Sequence, residues 1–120
     1  MSSDELAPRR KQRADERFES VVDDLEALMR SCLKPQFEGY GGQITLSRER
    51  TEAFESVNEG RKALRAAGKR LGWKVRTYYE QDGGRLHAFD VRERPEHVSR
   101  AMSRHAAKAI DGFFRGHSQD

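Results

Sequence analysis

Residues 73–93 constrain this chain more than any other segment. Residues 73–80 are rich in aromatic and β-branched side chains, Gln81-Asp82-Gly83-Gly84 is turn chemistry, and residues 85–93 supply a second run of strand formers. Two such runs around a glycine-containing turn predict an antiparallel β-hairpin. Its register has two solutions. A two-residue loop sets Lys74, Arg76 and Tyr78 on one face with Arg85, His87 and Phe89. A three-residue loop with a glycine bulge groups Trp73, Val75, Thr77 and Tyr79 with His87, Phe89 and Val91. The second grouping is the more apolar and is the expected core face.

Three helices accompany the hairpin. Residues 14–33 place Phe18, Val21, Val22, Leu25, Leu28, Met29, Cys32 and Leu33 at three- and four-residue steps, and Pro35 ends the pattern. The opposite face carries Asp15, Glu16, Glu19, Asp23, Asp24 and Glu26. Residues 34–50 read as a connection broken by Gly39, Gly41 and Gly42, in which Gln43-Ile44-Thr45-Leu46 could form one short strand. Residues 51–71, capped by Thr51 or Ser47 and stopped by Gly72, put Ala53, Phe54, Val57, Gly60, Leu64, Ala67 and Leu71 on one arc. Residues 95–114 give a last helix with Val98, Ala101, Met102, His105, Ala109, Ile110 and Phe113 as its apolar stripe. The expected fold is therefore α+β. Three helices pack on a two-stranded antiparallel hairpin in the order α-α-β-β-α, and a short extra strand near Ile44 could join.

At 120 residues, with 35% hydrophobic and 36% charged, one domain over 14–115 is expected. It is flanked by a disordered basic arm over 1–13 and a frayed tail over 116–120. Cys32 is the lone cysteine, and no apolar run has the length of a membrane span, so the chain reads as cytoplasmic. No cofactor, metal or catalytic set is expected. His97 and His105 have no carboxylate partner at ligand spacing, and Gly39-Tyr40-Gly41-Gly42 lacks the lysine and following helix of a phosphate-binding loop. Nothing points to a small-molecule substrate.

Charge is unevenly distributed. From Gly60 through Tyr79 seven residues are basic and none is acidic, yet the same stretch holds Leu64, Leu71, Trp73, Val75, Tyr78 and Tyr79. A one-signed surface on folded structure is the electrostatic footprint of phosphate binding. The Arg-rich usage is what a GC-rich genome would give, but that does not explain the clustering. Arg61, Lys62, Arg65 and Lys69 on the helix, continued by Lys74 and Arg76 on the first strand, are the expected nucleic-acid contacts. Tyr78 is the stacking residue, and Arg9, Arg10 and Lys11 form an auxiliary arm. DNA and RNA are equally compatible with such phosphate-directed contacts.

A helix followed directly by a hairpin also evokes a winged helix-turn-helix, with residues 51–58 as first helix, Asn58-Glu59-Gly60 as turn and 61–71 as recognition helix. The apolar stripe runs unbroken from Phe54 to Leu71, which favours one straight helix instead. The acidic first helix supports a different reading, a protein-protein adaptor or a homodimer in which acidic and basic faces meet. A third is a small metal-independent ribonuclease built on His87, with Arg76, Tyr78, Tyr79 and Arg85 beside it.

Overall fold

The computed structural model describes the backbone of residues 3–117 and the side chains of residues 8–112. The elements are α1 (Ser3–Ser31), a 3₁₀ turn (Pro35–Phe37), β1 (Gln43–Leu46), α2 (Arg48–Glu52), α3 (Val57–Arg70), β2 (Val75–Glu80), β3 (Arg85–Asp90) and α4 (Glu96–His117). The fold is α+β. The strand expected near Ile44 forms, and the sheet is antiparallel and three-stranded in the order β1-β3-β2. Among the described residues no helix is long and apolar enough to cross a membrane.

The hairpin pairs Glu80 with Arg85, Tyr79 with Leu86, Tyr78 with His87 and Arg76 with Phe89. Residues 81–84 form the loop, and Gly84 takes the left-handed conformation (φ 67°) that closes it. This is the parity of the two-residue loop, so the register expected for the core face is corrected. The reason lies in β3. Leu86 and Ala88 are fully buried and must face the core together. That turns His87 and Phe89 to the other side, with Arg76 and Tyr78. Ile44 and Leu46 of β1 join the core opposite Ala88 and Leu86.

One face of the sheet is covered by helices. Val22, Leu25 and Met29 of α1 and Ala63, Leu64 and Ala67 of α3 form one cluster with Ile44, Leu46, Trp73, Leu86 and Ala88. The contact with α3 is close. A Cβ on Gly68 would lie 2.1 Å from Val75 Cγ2, and one on Gly60 would lie 3.0 Å from Leu86 Cδ2. These glycines are where the helix meets the sheet.

The single helix expected over 51–71 is two. Ser47 caps α2, its hydroxyl accepting from the Arg50 N–H at 3.2 Å, and the buried Thr51 hydroxyl donates back to the Ser47 carbonyl at 2.8 Å. The helix ends at Glu52. After residues 53–56, Ser56 restarts it, its hydroxyl accepting from the Glu59 N–H at 3.1 Å. Phe54 nevertheless packs beside Gly60, 3.2 Å from where a Cβ would stand, so the apolar stripe stays continuous across a broken backbone.

The ends of the chain also differ from expectation. α1 begins at Ser3, so Arg9, Arg10 and Lys11 stand on its exposed early turns and not on an irregular arm. α4 runs through His117, and the rest of the expected tail, residues 118–120, lies outside the described residues. The stripe expected to bury α4 is mostly bare. Val98 is buried and Ala101 and Met102 are half-buried, but residues 103–112 are all exposed, Ile110 at 57%. The Phe113 and Phe114 side chains lie outside the described residues.

Two substitutions test this arrangement. Ser56→Ala is expected to lower stability by about 1 kcal/mol through the lost cap. In an unbroken helix the same change would raise it, because alanine is the better helix former. The urea midpoint distinguishes these outcomes. Leu86→Ala is expected to cost about 2–5 kcal/mol, the range for a fully buried leucine, while Phe89→Ala on the open face costs clearly less. Equal costs would contradict the register.

Candidate nucleic-acid interface

α3 carries its charges on the side turned away from the sheet. Asn58, Lys62, Arg65 and Lys69 are all exposed, at steps of four, three and four residues. At 100° per residue these four fall within about 60° of arc, a straight ridge. With a rise of 1.5 Å per residue it is roughly 16 Å long. The opposite side of the helix holds the buried Gly60, Ala63, Leu64 and Ala67. Arg65 and Lys69 form no ion pair among the described residues. Lys62 lies 5.4 Å from the centroid of the Phe18 ring of α1, which props its ammonium at the surface.

Two basic residues of α3 do not belong to the ridge. Arg61 is half-buried and donates from Nη1 to Asn58 Oδ1 at 3.4 Å. Arg70 turns toward α1. It donates to Asp23 Oδ1 at 2.5 Å and to Glu19 Oε2 at 2.6 Å, with Glu26 at 3.9 Å. The hydrogen bond to Asp23, with Glu19 and Glu26 nearby, raises its pKa above the ordinary guanidinium value. The acidic face of α1 is thus engaged within the chain by a residue that sequence alone groups with the basic run.

The strand residues lie elsewhere. Arg76 and Tyr78 rise from the sheet face opposite α3, and Lys74 stands just before β2. The continuous helix-strand surface expected from sequence is therefore corrected: the sheet separates the two groups. Tyr78 is 60% exposed and stacks on His87, centroids 5.8 Å apart, with Phe89 next at 6.3 Å. His87 faces this open side and not the core. Its Nδ1 lies 2.9 Å from Thr45 Oγ1 and its Nε2 lies 3.2 Å from Glu80 Oε2, so both ring nitrogens are engaged. Glu80 also accepts from Arg85 Nε at 3.0 Å and Nη2 at 2.9 Å.

Arg9, Arg10 and Lys11 are exposed on α1, about two turns before Phe18, the residue beneath Lys62. Sequence reasoning missed Asn58. Its signal is the four-residue step to Lys62, and its amide is a group that can read a base edge. The turn between α2 and α3 was also misplaced, by about four residues.

Compared with protein-family models, curated proteins and solved structures, the chain matches none.

The loop end of the hairpin has an acid-sensitive clasp. Hydrogen bonds from Arg85, then from His87, hold the Glu80 carboxyl below the ordinary carboxylate range. A carboxylate whose folded pKa is depressed stabilises the fold above its unfolded pKa and loses that contribution as pH falls through the folded value. Amide protection factors at residues 80–87, taken against the intrinsic rate at each pH, are therefore expected to fall below about pH 4, and Glu80→Gln is expected to flatten that acid limb. An unchanged acid limb in the variant would show that Glu80 does not clasp the hairpin.

Proposed function

We propose that this protein binds duplex DNA through the outer ridge of α3. The observation that carries the reading is the ridge itself: Asn58, Lys62, Arg65 and Lys69 in line on a helix whose other side is anchored to a sheet, with Arg65 and Lys69 free of carboxylates among the described residues. A helix about 10–12 Å across with its side chains fits the major groove, which is about 12 Å wide. Lysine and arginine on its exposed line meet phosphates or guanine edges, and Asn58 meets adenine.

The chain order supports the same reading. α2, a four-residue connection, α3 and the β2–β3 hairpin follow one another as first helix, turn, recognition helix and wing do in a winged helix-turn-helix. The hairpin loop sits at the N-terminal end of α3, since Leu86 beside the loop packs at Gly60, and Gly84 abuts Arg48 of α2. Arg9, Arg10 and Lys11 add backbone contacts. Most of the affinity comes from phosphates, so sequence preference is modest and salt dependence steep.

The test is fluorescence anisotropy with labelled duplex DNA, single-stranded DNA and RNA between about 50 and 200 mM salt. Duplex DNA is expected to bind best. The triple change Lys62→Gln, Arg65→Gln, Lys69→Gln is expected to weaken binding at least tenfold at low salt and to reduce the log–log salt slope by about 2–3. The pair Arg76→Gln, Tyr78→Ala on the opposite sheet face is expected to leave it unchanged. Loss of binding in the second variant but not the first would overturn the assignment and move the site to the open sheet face.

A further inference from the structure

We infer that a cavity beneath the start of α4 is a binding site for a small organic anion, with an apolar body and one carboxylate or phosphate group. The cavity holds about 450 Å³, within the range of small-molecule sites. It lies between the C-terminal end of α1, the glycine-rich connection and α4. Its floor and walls include Phe37, Tyr40 and Met102, and its charged lining residues are Lys34 and Arg94. No aspartate or glutamate lines it.

The two cations are what call for an anion. Some guanidinium groups elsewhere pair closely, Arg48 with Glu52, Arg70 with Glu19 and Asp23, Arg85 with Glu80 and Arg92 with Asp90, whereas others, Arg65 among them, do not. Arg94 instead contacts the Met102 sulfur, and Lys34 lies 3.2 Å from His105 Nε2. Neither pairs with a carboxylate among the described residues. Two exposed cations lining a concave, partly apolar site can hold the anionic group of a ligand through charge-assisted hydrogen bonds.

The walls are set before any ligand arrives. Asp90, whose side chain is 1% exposed, accepts from the Lys74 and Arg92 N–H groups and from Arg92 Nε. Arg92 in turn donates from Nη2 to the Gly39 carbonyl at 2.8 Å and lies 4.5 Å over the Tyr40 ring. One buried carboxylate thereby fixes Arg92, and Arg92 fixes the loop that carries Tyr40. On the other side, His105 meets the Phe37 ring edge-on at 5.6 Å. A ligand held by Lys34 and Arg94 would bridge the connection before β1 and the segment leading into α4.

Cys32 also lines the cavity and is the chain's only cysteine, so it reports occupancy without a label. The probes are phenyl phosphate, phenylacetate, inorganic phosphate and, as the uncharged control, 2-phenylethanol. Each is titrated into the ¹⁵N-labelled full chain while the rate of Cys32 alkylation is followed. Phenyl phosphate or phenylacetate is expected to shift the amides of Lys34, Tyr40, Gly41 and Met102 and to slow alkylation. Which of the two binds tighter identifies the headgroup. The double change Lys34→Met, Arg94→Met is expected to weaken the response about tenfold with an unchanged circular dichroism spectrum, since both side chains are exposed. An equal response to 2-phenylethanol, shifts spread over the whole chain, or no response at millimolar probe would overturn the site. Inorganic phosphate matching phenyl phosphate would overturn the apolar body. No nucleic acid is present, so the outcome is separate from that of the DNA-binding test.

Discussion

The close seat of α3 on the sheet determines what the rest of the molecule can present. Gly60 and Gly68 stand where backbone meets sheet, and at Gly68 even a methyl group would collide with Val75. A helix held that near must turn one full side inward, so the opposite side is fixed in direction as well. The exposed line Asn58, Lys62, Arg65 and Lys69 is the geometric complement of the buried line Gly60, Ala63, Leu64 and Ala67. Rigid presentation matters because long cationic side chains on a mobile element lose entropy when they bind, whereas on an anchored helix the backbone part of that loss is already met by the core.

Much of this could be read from residues. The hairpin followed from strand formers on either side of Gln81-Asp82-Gly83-Gly84, and Gln43–Leu46, read as one possible short strand after the glycines, is β1. The register did not follow, because comparing the apolar content of two candidate faces left out Leu86 and Ala88. Those two residues, fully buried, decide which side of β3 faces the helices. The break between α2 and α3 was hidden for a different reason. Phe54 reaches Gly60 from a non-helical position, so the apolar phase that suggested one straight helix is real while the straight backbone is not. Periodicity reports where side chains end up, and several backbone paths can place them there. The local signal that does mark the break is Ser56 three residues before Glu59, a capping pattern.

The candidate ridge was legible in part. Lys62, Arg65 and Lys69 were identified from the one-signed run that they belong to. Arg61 was grouped with them although its side chain is half-buried, and Asn58 was passed over because it is uncharged. Lys74, Arg76 and Tyr78 are neighbours of the ridge along the chain but stand across the sheet from it. Chain proximity misleads here because a strand sends alternate residues to opposite faces, and Val75, one residue from Arg76, is the one that touches α3.

Arg70 shows how the two oppositely charged halves of the sequence coexist. Without it, Glu19 and Asp23 of α1 would stand uncompensated beside α3, within the roughly 8–10 Å over which charges act at physiological salt, while Glu26 would keep Arg30. Their field would oppose any anion approaching the ridge. Arg70 gathers these three carboxylates on the α1 side of the helix, away from Lys62, Arg65 and Lys69. The pairs are largely exposed and contribute little to stability. Their consequence is electrostatic: Glu19 and Asp23 each meet a guanidinium instead of standing alone beside the ridge.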